Sequence, residues 1–122
     1  MAVFRLLIVD DDRDLAASLA EYLEIDGHDV DMAFSGKAGI QAAVSQDYDL
    51  VLMDVVLPDV NGVEGRSAIK RAKPESRVLL MSGYSADHLP QNVTGRDAIE
   101  ILVKPVDLND LTRRLATIGG PA

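Results

Sequence analysis

Four aspartates, Asp10, Asp11, Asp12 and Asp14, crowd into five positions directly after the apolar run LLIV. Mutual repulsion makes such a cluster costly unless a cation, a helix N-terminus or open water takes the charge. A further carboxylate, Asp54, ends a second apolar run, LVLM, while Ser82 follows VLLM and Lys104 follows ILV. Brought together, these groups make an oxygen-ligand site for a hard divalent cation, Mg²⁺ being the best match, with a lysine and a hydroxyl to hold an anion. A carboxylate such as Asp54 is a competent nucleophile toward phosphorus. Phosphoryl transfer then rests mostly on in-line positioning and charge neutralisation, which Mg²⁺ and Lys104 supply.

Such convergence needs elements that carry all of these residues to one edge. Phe4–Val9 is apolar except for Arg5, too short for a helix and suited to a strand buried on both faces. From Arg13 to about Glu24, Leu15, Leu19, Tyr22 and Leu23 recur at helical spacing until Gly27 stops the helix. Asp29–Ala33 alternates as a short strand, and Ser35 caps a second helix carrying Ala38, Ile40, Ala43 and Val44. Leu50–Met53 is a strand ending on Asp54; Pro58, Asn61 and Gly62 mark a loop, and a helix follows to about Ala72. Val78–Met81 is a strand ending in Ser82-Gly83. The stretch SADHLPQNVTGR is a poor helix former and predicts a short or irregular fourth helix. Ile99–Val103 is the last strand, and Asp107 caps a final helix with Leu108, Leu111, Leu115 and Ile118 on one face.

Strands and helices thus alternate five times with short connections, which predicts an α/β fold: a doubly wound parallel sheet of five strands with helices on both faces. In such sheets, sites form outside the carboxyl ends of the strands. Asp10–Asp12, Asp54, Ser82 and Lys104 all fall there.

Composition narrows the setting. The 122 residues suit one domain, 1–122, with a core of about 4–118 and 119–122 as a tail or linker stub. A net charge of −8 and the lack of a Lys/Arg-rich block argue against direct nucleic-acid binding. With no cysteine, disulfide and thiolate chemistry are excluded. No apolar run is long enough to span a membrane and no signal-peptide pattern opens the chain, so a cytoplasmic setting is expected.

The motifs IVDDD, LMDVVLPDVNG, LLMSG and VKP resemble the receiver domains of two-component response regulators, a likeness running from about Phe4 to Ile118. The spacings, 28 residues from Asp54 to Ser82 and 22 from Ser82 to Lys104, are typical of that family. The resemblance implies the flavodoxin-like strand order 2-1-3-4-5. It implies Asp54 as phosphoacceptor, taking its phosphoryl group from a histidine kinase or histidine phosphotransfer protein. By the same likeness Asp10 and Asp11 are the acid pair of a Mg²⁺ site, Asp11 the more direct ligand, joined by Asp54 and the backbone carbonyl of Val56. Ser82 and Lys104 correspond to the groups that bind the phosphoryl oxygens. Gly83 leaves the acceptor accessible, and Lys104–Pro105 is often a cis peptide in the family. A homodimer through the face of the fourth helix, fifth strand and fifth helix is a further implication, as is attachment to a hybrid kinase or multidomain regulator.

In one respect the chain departs from the family pattern. The fifth-strand position three before the lysine, usually aromatic, is Ile101, so no ring there can report the position of Ser82. Segment 83–95 is then the expected place where phosphorylation is read. Val56 and Tyr84, at the positions that tune phosphoryl lifetime, predict slow self-dephosphorylation: one lacks a polar group to orient water and the other shields the site.

Each group also admits a blander or a rival reading. Asp12 and Asp14 suit a helix start, Asp59 the loop, Asp107 a helix cap, and His28 an exposed position after Gly27. Met53 and Met81 suit the core. Asp10, Asp12, Asp14 and Glu21 fit EF-hand spacing, but Leu15 stands where that loop needs Gly. A haloacid-dehalogenase-type phosphatase would use Asp10 as nucleophile and leaves DVVLPDVNG unexplained. A flavodoxin-like cofactor carrier needs a phosphate-binding first loop, which three aspartates would repel.

Overall fold

The computed structural model describes residues 3–83 and 99–118. Its elements run β1 (Arg5–Val9), α1 (Arg13–Ile25), β2 (Asp29–Ala33), α2 (Gly36–Ser45), β3 (Leu50–Asp54), α3 (Gly62–Ala72), β4 (Val78–Ser82), β5 (Glu100–Val103) and α4 (Leu108–Ala116). The expected fourth helix between the last two strands lies outside the described residues, as does Tyr84. The strands form one sheet in the order β2-β1-β3-β4-β5, every pairing parallel. This is the doubly wound, flavodoxin-like arrangement.

Side-chain alternation along the strands builds two cores, one on each face. Leu6 and Ile8 of β1 join Leu50, Leu52, Leu79, Met81 and Leu102 against Leu19 and Leu23 of α1 and Leu111 and Leu115 of α4. Leu7 and Val9 face the other way, with Val51, Met53, Val78 and Leu80, onto Ala43 of α2 and Ile69 of α3. Leu6, Leu7, Ile8 and Val9 are all fully buried, and burying each contributes about 2 kcal/mol relative to exposure. The apolar runs are continuous because both faces of the sheet are covered.

Local signals set the helix boundaries. Asp12, Ser35, Asn61 and Asp107 each accept a backbone N–H from the first turn of the helix they precede. Gly27 takes φ +93° and turns the chain from α1 into β2. That turn sets His28 beside the start of β1, and here the expectation of an exposed histidine is corrected. His28 is buried, accepts the Phe4 N–H on Nδ1 at 3.0 Å, and stacks on the Phe4 ring with centroids 5.4 Å apart.

Two helix faces also differ from expectation. In α2 the buried residues are Gly36, Gly39 and Ala43, while Ala38 and Val44 are exposed. The helix lies so close to β1 that a Cβ on Gly39 would stand 2.6 Å from both Val9 methyls, so glycines take the inner face. Leu108 at the start of α4 is also exposed, leaving Leu111 and Leu115 as its buried anchors.

At the end of the sheet away from the aspartates, Arg77 pairs with Glu100 through Nε–Oε2 at 3.0 Å and Nη2–Oε1 at 3.1 Å. Its Nη1 donates to the Thr117 hydroxyl at 2.7 Å, tying β4, β5 and the end of α4 together. Among the described residues no helix is long and apolar enough to cross a membrane.

Candidate functional site

β3 and β4 end on Asp54 and Ser82, β1 and β5 are followed directly by Asp10 and Lys104, and backbone hydrogen bonds hold those ends in place. Asp10 N–H donates to Ala33 O at 3.0 Å, Val55 N–H to Met81 O at 2.9 Å, and Lys104 N–H to Ser82 O at 2.7 Å. Sheet pairing thus continues one residue past the strands and carries the acids, the serine and the lysine to one edge.

Oxygens from Asp10, Asp11 and Asp54 lie within 4.8 Å of one another. Asp10 is fully buried and Asp54 nearly so, while Asp11 is exposed. Lys104 bridges the buried pair, its Nζ 3.0 Å from Asp10 Oδ2 and 2.8 Å from Asp54 Oδ2. The remaining oxygens are also engaged: Asp12 N–H donates to Asp10 Oδ1 at 2.9 Å and Val56 N–H to Asp54 Oδ1 at 3.1 Å. Burial pushes the Asp54 carboxyl above its usual range, against the hydrogen bonds from Lys104 and Val56, and the Asp10 charge pushes the same way. Burial opposes the charge on Lys104, but its hydrogen bonds to Asp54 and Asp10 outweigh this and hold the ammonium above its ordinary value. Three carboxylates against one ammonium leave the cluster negative, which is the charge state that suits an all-oxygen divalent-cation site.

Ser82 is buried at the end of β4. Gly83 is exposed, and no described residue lies within 4 Å of where a Cβ would stand; within this frame the site does not demand glycine there. Lys104–Pro105 is cis, as expected. Val56 is an exposed apolar side chain beside the acids, and Ile101 is half-buried against the core on the α2–α3 face. Gly62 packs against the end of β3: its N–H donates to Val55 O at 2.8 Å, and a Cβ there would lie 2.3 Å from the Asp54 carbonyl oxygen.

Two contacts near the site were not legible in the sequence. Arg13 places its guanidinium 4.1 Å from the centre of the Phe34 ring. Asp59, assigned to the loop, reaches back to the N-terminus of α2, where Gly36 N–H and Lys37 N–H donate to it. Neither contact is local in sequence; only the PDVN turn signal around Asp59 marks that loop as structured.

A parallel five-stranded α/β domain with an acidic cluster, a serine and a lysine at the carboxyl edge defines a fold class and a site. The family model described as "Response regulator receiver domain" matches residues 6–116, and the chain belongs to that family. It is 34% identical over 113 residues to response regulator ArlR of Staphylococcus saprophyticus, covering 91% of this chain and 50% of that protein. It is also 32% identical over 115 residues to the CAI-1 autoinducer sensor kinase/phosphatase CqsS of Vibrio cholerae, covering 92% of this chain and 17% of that protein. The chain therefore spans about half the length, or less, of these curated relatives. Among solved structures, response regulator TrrA of Thermotoga maritima in complex with Mg(2+)-BeF superposes with a TM-score of 0.81 at 28% identity, covering 93% of this chain and 97% of that one. A two-component response regulator from Clostridium difficile gives 0.83 at 25% identity, covering 93% of each.

Proposed function

We propose that this receiver domain accepts a phosphoryl group on Asp54 from a phosphohistidine of a kinase or phosphotransfer protein. The observation that carries the reading is Lys104 Nζ bridging Asp10 and Asp54 at 3.0 and 2.8 Å: a fixed cation at the nucleophile, within a cluster that is still negative. Asp10, Asp11, Asp54 and the Val56 carbonyl would hold Mg²⁺, which when bound would neutralise the carboxylates and the incoming phosphoryl oxygens.

In the transfer, an Asp54 carboxylate oxygen forms the new O–P bond as the P–N bond to the donor imidazole breaks, and the imidazole leaves with the electron pair. Lys104 holds a phosphoryl oxygen, and Ser82 supplies a second hydrogen bond. With Ile101 in place of an aromatic switch residue, the output is read from segment 83–95. The apolar Val56, with Tyr84, makes self-dephosphorylation slow.

The test is incubation with acetyl phosphate and Mg²⁺ followed by intact mass measurement. A phosphoryl increment is expected in the wild type and in Asp10→Asn at reduced rate, and none in Asp54→Asn. An increment that survives Asp54→Asn and vanishes in Asp10→Asn would make Asp10 the nucleophile and overturn the assignment.

A further inference from the structure

Asp59 stands in the loop between β3 and α3, five positions past Asp54. Both of its carboxylate oxygens are held by a helix from earlier in the chain: Gly36 N–H donates to Oδ1 at 2.8 Å and Lys37 N–H to Oδ2 at 2.9 Å. These two N–H groups hold the Asp59 carboxyl below the usual carboxylate range. Helix α2 already has its own cap, since Ser35 Oγ accepts the Ala38 N–H at 3.1 Å. The Asp59 contact therefore joins two segments rather than merely starting a helix. Val60 packs at the same place, its Cβ 2.8 Å from where a Cβ on Gly36 would stand.

Nearer the acids the loop has anchors of its own, among them Leu57, which packs half-buried against the core on the α2–α3 face. Val56 is 64% exposed, so its own side chain adds little packing. Its N–H is bonded to Asp54 Oδ1, and Val55 is fixed on one side to Met81 and on the other to Gly62. Beyond Leu57, the attachment of Asp59 to α2 is what fixes the far end of the loop.

We propose that Asp59 is a positioning residue for the cation site: by latching the β3–α3 loop to α2, it holds the Val56 carbonyl in place to act as a ligand. The proposal rests on the reading of Asp10, Asp11, Asp54 and Val56 as the Mg²⁺ site.

The test compares Asp59→Ala with Ser35→Ala, which weakens the same helix start without touching the loop, and with Glu64→Gln, which removes an exposed charge without touching the latch. Titration calorimetry gives the Mg²⁺ Kd, and amide hydrogen exchange at Val56 reports the loop with no metal present. Asp59→Ala is expected to weaken Mg²⁺ binding about 10-fold, the scale on which partners behind a metal ligand act, and to speed exchange at Val56. Ser35→Ala lowers Tm comparably but leaves both readouts near wild type. If Asp59→Ala does not fold, Asp59→Asn, which keeps one acceptor oxygen, gives the same comparison at intermediate size. Equal Mg²⁺ affinity and equal Val56 exchange in the Asp59 and Ser35 variants would overturn the proposal. If the wild type binds no Mg²⁺, the cation reading fails by itself, and Val56 exchange still decides whether the latch exists.

Discussion

Replacing Asp54 by Asn in the metal-free protein removes a charge that the fold holds against resistance. The oxygens of Asp10, Asp11 and Asp54 lie within 4.8 Å of one another. At an effective dielectric of about 20, two unit charges at that separation repel by about 3.5 kcal/mol, and Asp54 faces two of them. On the same scale the Lys104 contact at 2.8 Å contributes about 6 kcal/mol of attraction. The two nearly cancel, which leaves the cost of burying a carboxylate that is only 7% exposed. Asn keeps the shape and one acceptor oxygen, so Asp54→Asn is expected to gain about 1–2 kcal/mol, or about 4 °C in Tm for each kcal/mol. Because burial raises the folded-state pKa of Asp54 above its usual 3.8, wild-type stability relative to the variant falls as pH rises through that window. Below it the two proteins converge. Thermal melts in chelator from pH 3.5 to 8 measure this directly. Mg²⁺ at 100 times its Kd is then expected to return about 2.7 kcal/mol to the wild type and much less to the variant, which lacks one of the proposed ligands. A lower Tm for Asp54→Asn in chelator would refute the electrostatic reasoning, and equal stabilisation of both proteins by Mg²⁺ would refute the cation site.

Gly62→Ala puts a methyl 2.3 Å from the Asp54 carbonyl oxygen and 2.7 Å from Val55 Cα, both backbone atoms that cannot turn aside. A loss of about 2–3 kcal/mol in urea melts and slower phosphorylation are expected; unchanged values in both would count against the close packing. Burial, reinforced by the hydrogen bond to Asp31 and its charge, pushes the Tyr48 phenol up to about 12, so stability linked to this group is lost as pH climbs from about 10 through that value. Ultraviolet titration against Tyr48→Phe should show the high value, and Asp31→Asn should lower it. Arg77→Ala severs the paired contact with Glu100 and the link to Thr117, costing about 1–2 kcal/mol while leaving Mg²⁺ affinity unchanged; a change in that affinity would contradict the remoteness of this cluster from the acids.

What the sequence made legible was local or repeated. Apolar runs such as LLIV and LVLM announce buried strands, and Asp12, Ser35 and Asp107 announce helix starts because a cap bonds within three residues of itself; Asn61 reads in the sequence only as part of a loop, and its capping bond to Val63 comes from the structure. Asp10, Asp11, Asp54 and Lys104 were found together because parallel strands deliver their carboxyl ends to one edge. Contacts between residues far apart in the chain left no such trace. The hydrogen bonds of Asp59 to Gly36, His28 to Phe4 and Arg77 to Glu100 span 23, 24 and 23 residues, and each depends on how two elements pack. The face of α2 was misjudged for a related reason: hydrophobic periodicity marks large residues, whereas its inner face is set by how closely Gly39 lets it approach Val9.

Among the described residues the edge strand β2 pairs only with β1, so within this frame one side of its backbone is open to addition by another chain. It carries Asp29 and Asp31, both in reach of the Arg5 guanidinium at 3.9 and 3.5 Å, and Tyr48 donates to Asp31 at 2.6 Å. A strand arriving from a neighbouring molecule would have to dehydrate two carboxylates already committed to partners within the domain. The same residues that anchor β2 to its own sheet thus discourage end-to-end growth of that sheet into aggregates.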